Sequence, residues 1–289
     1  MIVVSGASGE LGSAVVEHLL RQVSPAEVAV SVREPQGVQA LAARGVAVRL
    51  GDYDRPDTLE KAFAGATRLL LVSSSGIDYE TRVARHKNAI DAARRVKVGH
   101  VFYTSLVPAE GSVAYVMKAH VETERMLRDS ALPFTVLKNG VYAEASEIYL
   151  GNYSRGEVEV PADGPVAWVS KADLAEGTAK LLTTGGHVGA SRRLTGPTAL
   201  TLTEYAACLA HATGRPLAVR IVPLDEYVAH QVEAGRPAEN ARQWASTYAA
   251  MARGEFAAVD PFLHTLLGRP LRTVESVLNV SASGTPSVA

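Results

Sequence analysis

A glycine-rich turn at the start of the chain constrains its fold more than any other feature. An apolar strand at residues 2–4 runs into the spacing G-x-x-G-x-x-G at residues 6–12, and an amphipathic segment follows at residues 10–22. A glycine turn between a buried strand and a helix exposes backbone N–H groups and the positive end of the helix dipole, which together bind a diphosphate. Glycines also serve tight turns without a ligand, but the second strand at 27–32 completes the context of a dinucleotide site.

Strands and helices alternate through the first half of the sequence. Strands rich in Val and Leu, separated by helices, indicate a parallel sheet that is covered on both faces. We therefore predict an α/β protein with a Rossmann-type doubly wound parallel sheet. The predicted strands are 2–5, 27–32, 47–50, 68–73, 100–104 and 134–138, and the predicted helices are 10–22, 36–43, 57–63, 79–96, 118–130 and 171–182.

The pattern changes after about residue 140. We expect residues 1–140 plus about 166–183 to form the dinucleotide-binding domain, about 141–165 and 184–280 to form a smaller, mostly helical C-terminal substrate-binding lobe, and 281–289 to be a mobile tail. Within the lobe we predict isolated loops or strands at 149–161, 191–195 and 216–223, and helices at 201–213, 224–233, 238–253, 260–267 and 273–278.

Composition limits the partners and the compartment. The 289 residues carry a net charge of −1, which argues against a nucleic-acid partner, and the single cysteine, Cys208, excludes an intramolecular disulfide. We expect Cys208 to be a buried structural thiol. No apolar run approaches the roughly 18 residues of a membrane span, and no signal segment precedes the first strand. The sequence therefore predicts a soluble, cytoplasmic protein without a membrane partner, as a monomer or a homodimer.

The carboxyl ends of the predicted strands supply a coherent set of cofactor-binding residues, because ligands of doubly wound sheets bind there. Gly6, Ser8, Gly9 and Leu11 follow the first strand and are predicted to hold a diphosphate. Arg33 follows the second strand, where NAD-selective enzymes place an acidic residue, so we expect it to hold a 2′-phosphate and to favour NADP(H). The alternative is an exposed arginine that pairs with its neighbour.

Two further strand ends extend this set. Asp52 follows the third strand and either accepts from the adenine amino group or caps the helix that begins near Pro56. Ser73, Ser74 and Ser75 follow the fourth strand. Small hydroxyl residues let a ribose and nicotinamide approach the backbone closely, although the segment also fits an ordinary polar loop.

The proton donor of a typical short-chain dehydrogenase is missing from the sequence. Reduction of a carbonyl or a quinone needs a proton source, which those enzymes supply from a Tyr-x-x-x-Lys motif. No tyrosine here has a lysine four positions later, and Tyr115 and Lys118 are one residue too close to share a helix face in that way.

Several motifs together make the chain similar to a known family. They are Gly6-Ala7-Ser8-Gly9-Glu10-Leu11-Gly12, Val32-Arg33, Gly51-Asp52-Tyr53, Leu69 to Ser75, Tyr103-Thr104-Ser105-Leu106, His120 to Glu124 and Leu137 to Tyr142. The chain resembles the NmrA-like group of atypical short-chain dehydrogenase/reductases and, within it, the type-2 NAD(P)H:quinone oxidoreductases.

This resemblance implies which residues bind the cofactor. It implies NADPH binding through Gly6 to Leu11, which includes Ala7 and Glu10, through Arg33 and through Ser73 to Ser75, with Asn139, Gly140 and Val141 near the nicotinamide and substrate. Thr104 and Lys171 complete the predicted cofactor-binding set. The resemblance further implies hydride transfer directly to the acceptor, without flavin, and no metal-ligand spacing is seen.

Three residues are candidates for catalysis: Lys118, Tyr142 and His120. Related NmrA-like reductases have a lysine at the position of Lys118 near the nicotinamide ribose, but the quinone reductases do not keep it, so Lys118 is either catalytic or an exposed helix residue. Tyr142 is placed to hydrogen-bond an oxidised substrate, and His120 faces the pocket or supports the fold. We expect Tyr103 to point into the core and Asp173 to stabilise the N-terminus of its helix.

The predicted function is an NADPH-dependent oxidoreductase that transfers hydride to a quinone or to a similar apolar, conjugated acceptor. Aromatic residues after position 140 either line an apolar lid or belong to an ordinary core. Two alternatives stay open: a non-catalytic NAD(P)-sensing regulatory protein and a reductase dedicated to one secondary metabolite.

Overall fold

The structure is a computed structural model that describes residues 1–76, 78–108 and 111–282, so most of the predicted tail at 281–289 lies outside the described residues. The chain divides into two compact units. Unit 1 comprises Met1–Ser105, Ala119–Lys138 and Leu174–Arg192. Unit 2 comprises Leu106–Lys118, Asn139–Asp173 and the described residues from Arg193 onward.

The secondary structure alternates as the sequence predicts. The strands are Ile2–Ser5 (β1), Val28–Val32 (β2), Ala47–Leu50 (β3), Arg68–Leu71 (β4), Val101–Leu106 (β5), Phe134–Asn139 (β6), Glu157–Val160 (β7), Ser191–Leu194 (β8) and Ala218–Ile221 (β9). The α-helices are Glu10–Leu19 (α1), Gln39–Ala43 (α2), Pro56–Phe63 (α3), Tyr79–Arg95 (α4), Met117–Asp129 (α5), Ser146–Leu150 (α6), Lys171–Thr183 (α7), Leu202–Thr213 (α8), Leu224–Glu233 (α9), Ala238–Ala252 (α10), Phe262–Leu267 (α11) and Val274–Ala282 (α12).

The large sheet has the strand order β3-β2-β1-β4-β5-β6-β8. β1 pairs in parallel with β2 and with β4, β2 pairs in parallel with β3, and β4 pairs in parallel with β5. Every residue of β1 and β2 is buried, as expected for parallel strands that are covered on both faces. The predicted Rossmann-type doubly wound sheet is confirmed.

The last strand of this sheet corrects one prediction. The sequence placed residues 191–195 in an isolated loop or strand, but β8 lies at the edge of the large sheet beside β6. Its residues are Ser-Arg-Arg-Leu, and only the leucine is buried. A half-exposed edge strand has little apolar periodicity, so its pairing with β6 could not be predicted from the sequence.

The core of unit 1 forms where α3 and α4 cover one face of the strands. Phe63 of α3, Ile90 of α4 and Leu69 of β4 belong to one buried cluster with Tyr103. The helix predicted at 36–43 is split: a 3₁₀ turn at Pro35–Val38 precedes α2. Gly37 lies inside this turn, and glycine is a poor helix former.

Unit 2 packs helices around a large aromatic and aliphatic core, in which β7 and β9 form a separate parallel pair. α8 shows why the sequence folds locally as it does. Thr201 and Glu204 form a capping box at its start, and Gly214 ends it in the left-handed conformation with a φ of 67°. Among the described helices, none combines the length and the apolarity that crossing a membrane requires.

Candidate functional site

The glycine turn of unit 1 has the geometry of an anion-binding loop. Gly6 adopts a φ of 63°, which is unfavourable for other residues, and its carbonyl accepts from the Gly9 N–H at 3.0 Å. A Cβ on Gly12 would lie 2.3 Å from the Gly6 oxygen, so only glycine lets α1 pack this closely. Within the described residues no side chain caps α1 at Gly9, and the N-terminus of a helix is a favourable site for an anion.

A cavity of about 330 Å³ opens beside this turn, entirely within unit 1. It collects residues from the carboxyl ends of β1, β2, β3 and β4, as a doubly wound sheet requires. Of the predicted cofactor-binding residues it brings together Gly6, Ser8, Gly9, Arg33, Asp52, Ser73, Ser74 and Ser75. Ala7 and Leu11 are buried below the turn, and Glu10 is exposed in the first turn of α1.

Two polar side chains at this cavity, Ser31 and Arg33, have hydrogen-bonding groups that the described residues do not satisfy. The Ser31 hydroxyl is buried and has no hydrogen-bond partner among the described residues. Arg33 is exposed at the cavity, and the described part of the chain offers it no ion pair, so the alternative pairing with Glu34 is not found. A nucleotide with a phosphorylated ribose fits these groups, because it supplies the oxygen atoms that a guanidinium and a hydroxyl bind.

Sequence reasoning missed several residues that line the cavity. Ser31 is a polar residue within the fully buried strand β2, and this exception to the apolar pattern could have identified it as a candidate site residue. Gly51 leaves room for it, because a Cβ on Gly51 would lie 2.0 Å from the Ser31 hydroxyl. Asp54 and Arg85 form a bidentate ion pair at 2.7 and 2.8 Å, which lowers the pKa of the Asp54 carboxyl. Their pairing joins a loop to α4 and has no local sequence signal.

The structure decides between the two roles of Asp52. Its carboxylate accepts from the Asp54 N–H at 3.0 Å and lies at the cavity. α3 has Arg55 at its N-cap position, so the prediction that Asp52 caps this helix is wrong. The adenine contact stays a prediction.

The loop after β4 is held by side chains at three successive backbone N–H groups. Val72 N–H donates to the Ser5 hydroxyl at 3.0 Å, Ser73 N–H to the Thr104 hydroxyl at 2.8 Å, and Ser74 N–H to His86 Nε2 at 2.9 Å. Thr104 thus lies behind the loop, at 2 % exposure, rather than on the cavity surface. The backbone of residues 72–74 is therefore held in place by contacts within the protein.

His120, one of the predicted catalytic residues, lies in a buried network of unit 1. Arg82 Nη2 donates to its Nε2 at 2.9 Å, and its Nδ1 lies 2.8 Å from the Tyr103 hydroxyl. Burial, followed by the charge of Arg82, holds the pKa of His120 well below its usual value. Tyr103 is fully buried, as predicted. Of the two roles left open for His120, this geometry favours support of the fold.

The remaining predicted residues lie in unit 2. The Lys171 ammonium stands 5.5 Å from the centroid of the Tyr142 ring, and the Lys171 N–H donates to the Glu144 carboxylate at 3.0 Å. Asn139 is 1 % exposed, and neither atom of its amide has a partner within the described residues. A Cβ on Gly140 would lie 3.1 Å from the Ala167 oxygen, which explains a glycine beside Val141.

Lys118 and Asp173 have different surroundings. Lys118 is exposed near the start of α5, with its ammonium 4.8 Å from the centroid of the Tyr115 ring. Asp173 is fully buried; it accepts from Arg269 Nη2 at 2.8 Å and from the Arg272 N–H at 2.7 Å. The prediction that Asp173 serves the N-terminus of its own helix missed these partners, since they lie about a hundred residues away in sequence.

The structure corrects the prediction that Cys208 is buried. Cys208 is only half-buried, and its pKa is raised to about 11 by partial burial and the neighbouring Glu275 carboxylate. Glu159 of β7 and two residues of α9, Glu226 and His230, bring possible metal-ligand atoms within 4.8 Å of one another. Arg220 forms ion pairs with both carboxylates, so the group is an ion-pair network.

The predicted apolar lid is largely a core. Trp168, Tyr227 and Tyr248 are at most 4 % exposed, and Tyr149 and Trp244 stack with ring centroids 5.6 Å apart. These aromatic rings hold unit 2 together.

Comparison with known proteins agrees with this geometry. The model of the NmrA-like family matches residues 1–283, and the chain belongs to this family. Quinone oxidoreductase 2 of Escherichia coli K12 is 34 % identical over 283 residues, covering 96 % of this chain and 97 % of that protein.

Solved structures show the same similarity in three dimensions. The crystal structure of the E. coli NADPH-dependent quinone oxidoreductase complexed with NADPH matches with a TM-score of 0.88 and 32 % identity, covering 97 % of this chain and 99 % of that chain. Triphenylmethane reductase of Citrobacter sp., complexed with NADP(H), matches with a TM-score of 0.86 and 31 % identity, covering 98 % and 100 %. The chain is thereby placed among the NAD(P)H-dependent oxidoreductases.

Proposed function

We propose that the protein is an NADPH-dependent oxidoreductase that transfers hydride directly, without flavin, to a quinone or a similar apolar, conjugated acceptor. The observation that carries the proposal is the cavity of unit 1. There, the N-terminus of α1 and an Arg33 that forms no ion pair with the described residues lie at the ends of the strands. A diphosphate fits the first and a 2′-phosphate fits the second.

The residues of the cavity have separate tasks in this proposal. Gly6 to Leu11, with Ala7 and Glu10, receive the diphosphate on the N–H groups of α1; Arg33 and Ser31 receive the phosphorylated ribose, and Asp52 the adenine. In unit 1, the loop at 73–75, supported by Thr104, orients the ribose of the nicotinamide half. In unit 2, Asn139, Gly140, Val141 and Lys171 are the residues that the family resemblance assigns to the nicotinamide and substrate. When bound, the reduced nicotinamide supplies the hydride.

A proton must reach the reduced acceptor, and Tyr142 is the donor that we propose. Its hydroxyl can donate a proton, and the Lys171 ammonium near its ring stabilises a developing phenolate. Lys118 is the second candidate, since its ammonium is exposed. His120 is assigned a supporting role, because Arg82 occupies its Nε2 and its imidazole is neutral.

The acceptor class rests on the relatives. Two of the best-matching proteins are named for quinones and for triphenylmethane compounds, which are conjugated ring systems. The other partners follow from the sequence: a small molecule, no nucleic acid and no membrane, with the protein acting in the cytoplasm as a monomer or homodimer.

Oxidation of NADPH by purified protein, freed of flavin, tests the function. Benzoquinones, naphthoquinones and cationic triphenylmethane dyes are the acceptors to compare, and loss of NADPH absorbance is the signal. We expect turnover with at least one quinone and no increase on adding FMN or FAD. NADPH binding without turnover across the panel would favour the sensing protein or the reductase of one secondary metabolite instead.

Arg33→Asp tests the preference for NADPH. An arginine that binds a phosphate contributes a charge-assisted contact, so we expect the Kd for NADPH to rise about tenfold or more while the Kd for NADH changes little. Arg55→Asp is a matched control, because Arg55 is exposed and lies outside the cavity. Equal losses for NADPH and NADH would remove the case for 2′-phosphate recognition.

A further inference from the structure

We propose that His86 is a positioning residue of the cofactor site: its imidazole, with the proton on Nδ1, holds the loop at 73–75 in place through the Ser74 N–H. This inference rests on the proposed function, since it concerns how the cavity is kept ready for the cofactor.

The hydrogen bonds around His86 fix which ring nitrogen carries the proton. A backbone N–H can only donate, so Nε2, at 2.9 Å from the Ser74 nitrogen, must be an acceptor. On the other side, Nδ1 lies 2.8 Å from the Thr123 hydroxyl. That hydroxyl has one proton, which it donates to the Ala119 carbonyl at 2.6 Å. Nδ1 must therefore donate to Thr123, and one neutral tautomer satisfies every contact.

Burial and neighbouring charges keep His86 in this form. The side chain is fully buried, and desolvation, followed by the charges of Arg82 and Arg85, lowers its pKa to about 3. Its ring also meets the Tyr103 ring edge-on, with centroids 5.5 Å apart. The imidazole is thus a rigid bridge from α4 and α5 to the loop after β4.

The bridge supports the Ser74 N–H, for which the described residues show no acceptor on a strand. Ser5 of β1 holds the Val72 N–H and Thr104 of β5 holds the Ser73 N–H, both from within the sheet. Ser74 lies one residue farther out, and a helix side chain must span that distance. Without this acceptor the Ser74 N–H is free to turn away, and the cavity wall formed by Ser73 to Ser75 loses its orientation.

Two substitutions separate this role from simple packing. The glutamine amide in His86→Gln reaches as far as Nε2 and can present an oxygen to the Ser74 N–H. The shorter asparagine amide in His86→Asn reaches only the position of Nδ1, so it keeps the Thr123 contact and loses the Ser74 contact. Both variants keep a neutral polar side chain, and urea unfolding measures any general loss of stability.

The measurement is the Kd for NADPH and for 2′,5′-ADP, by fluorescence and calorimetry. We expect His86→Asn to raise the Kd for NADPH about tenfold, the effect of one hydrogen bond, and His86→Gln to stay within about threefold of the wild type. The Kd for 2′,5′-ADP, which lacks the nicotinamide ribose, should be unchanged within about twofold in both.

Each outcome is decisive. Equal Kd values for NADPH in the two variants, or equal losses for NADPH and 2′,5′-ADP, would overturn the positioning role of His86 and leave the proposed function standing. A wild-type protein that binds NADPH but reduces no acceptor would contradict the proposed function and not this inference. A wild-type protein that does not bind NADPH would overturn both.

Discussion

The loop wall of the cavity in unit 1, at residues 72–74, and the Asn139 side chain of unit 2 differ in how far their polar groups are satisfied among the described residues. In the cavity wall, three consecutive N–H groups at residues 72–74 each have a side-chain acceptor. In unit 2, the buried amide of Asn139 has no partner among the described residues. An unsatisfied buried polar group costs about 1–3 kcal/mol, which a bound ligand can offset.

Because of this difference, we expect the two regions to affect different steps, cofactor binding and turnover. A wall whose backbone is already fixed binds a ligand without losing conformational freedom, so changes there should appear in cofactor affinity. Residues that find their partners only when ligands are bound should affect turnover. Four changes, given in decreasing order of the effect that we expect, test whether the two regions differ in this way.

Gly12→Ala should have the largest effect. Its Cβ would lie 2.3 Å from the Gly6 carbonyl oxygen, so either the turn or α1 must shift. We expect the Kd for NADPH to rise about a hundredfold and the free energy of unfolding to fall by about 1–3 kcal/mol, the usual range for overpacking. Cofactor titration and urea unfolding measure both.

Gly9→Ala is the control, because its Cβ would meet nothing closer than 3.4 Å. If the two variants bound NADPH equally well, close packing of the turn would not be what fixes the cavity.

Tyr142→Phe should lower kcat about a hundredfold, within the range for loss of a general acid, and leave the Kd for NADPH unchanged. Stopped-flow oxidation of NADPH with the best quinone measures the first, and fluorescence titration measures the second. Lys118→Met, at the exposed second candidate, should lower kcat less. A larger loss in Lys118→Met would transfer the proton-donating role to Lys118.

Acidification should destabilise unit 1 through its buried histidines. The pKa of His86 is lowered to about 3 and that of His120 lies well below its usual value, while both titrate near 6.5 when unfolded. The unfolded state therefore binds more protons, so stability is complete above about pH 6.5 and falls by up to about 1.4 kcal/mol per unit and per histidine below it.

Urea unfolding at about pH 7.5 and about pH 5.5 checks this, in a range above the titration of most carboxyls. The wild type should lose stability between the two, and His86→Gln should lose less. An identical loss in both proteins would show that His86 does not contribute to the acid sensitivity.

We expect Asn139→Leu to have the smallest effect of the four changes; it tests whether the buried Asn139 amide is unsatisfied. A leucine of similar size removes two unsatisfied amide atoms, so we expect the free energy of unfolding to rise by about 1–2 kcal/mol while turnover falls. Thermal or urea unfolding without ligand, with a parallel activity assay, measures both. Lower stability in this variant would show that the amide is satisfied in the free protein.

The cofactor side of the protein was largely predictable from sequence. Gly6, Gly9, Arg33, Asp52 and the serines at 73–75 follow strands directly, so recognising the strands was enough to place them at one edge of the sheet. β8 and the partners of Asp173 were not predictable, because an edge strand has weak periodicity and ion pairs between distant segments leave no local pattern.

The α/β architecture and the glycine turn could be predicted from the sequence, and so could the position of Arg33 at the end of β2, because each depends on residues close together in the chain. The protonation states of His86 and His120 depend on contacts that form only in the folded protein. Their partners, Thr123 and Arg82, are 37 and 38 residues away, and the direction of each hydrogen bond follows from which groups can only donate. Whether a buried histidine supports the fold or donates a proton depends on its hydrogen-bond partners, and folding brings these partners together.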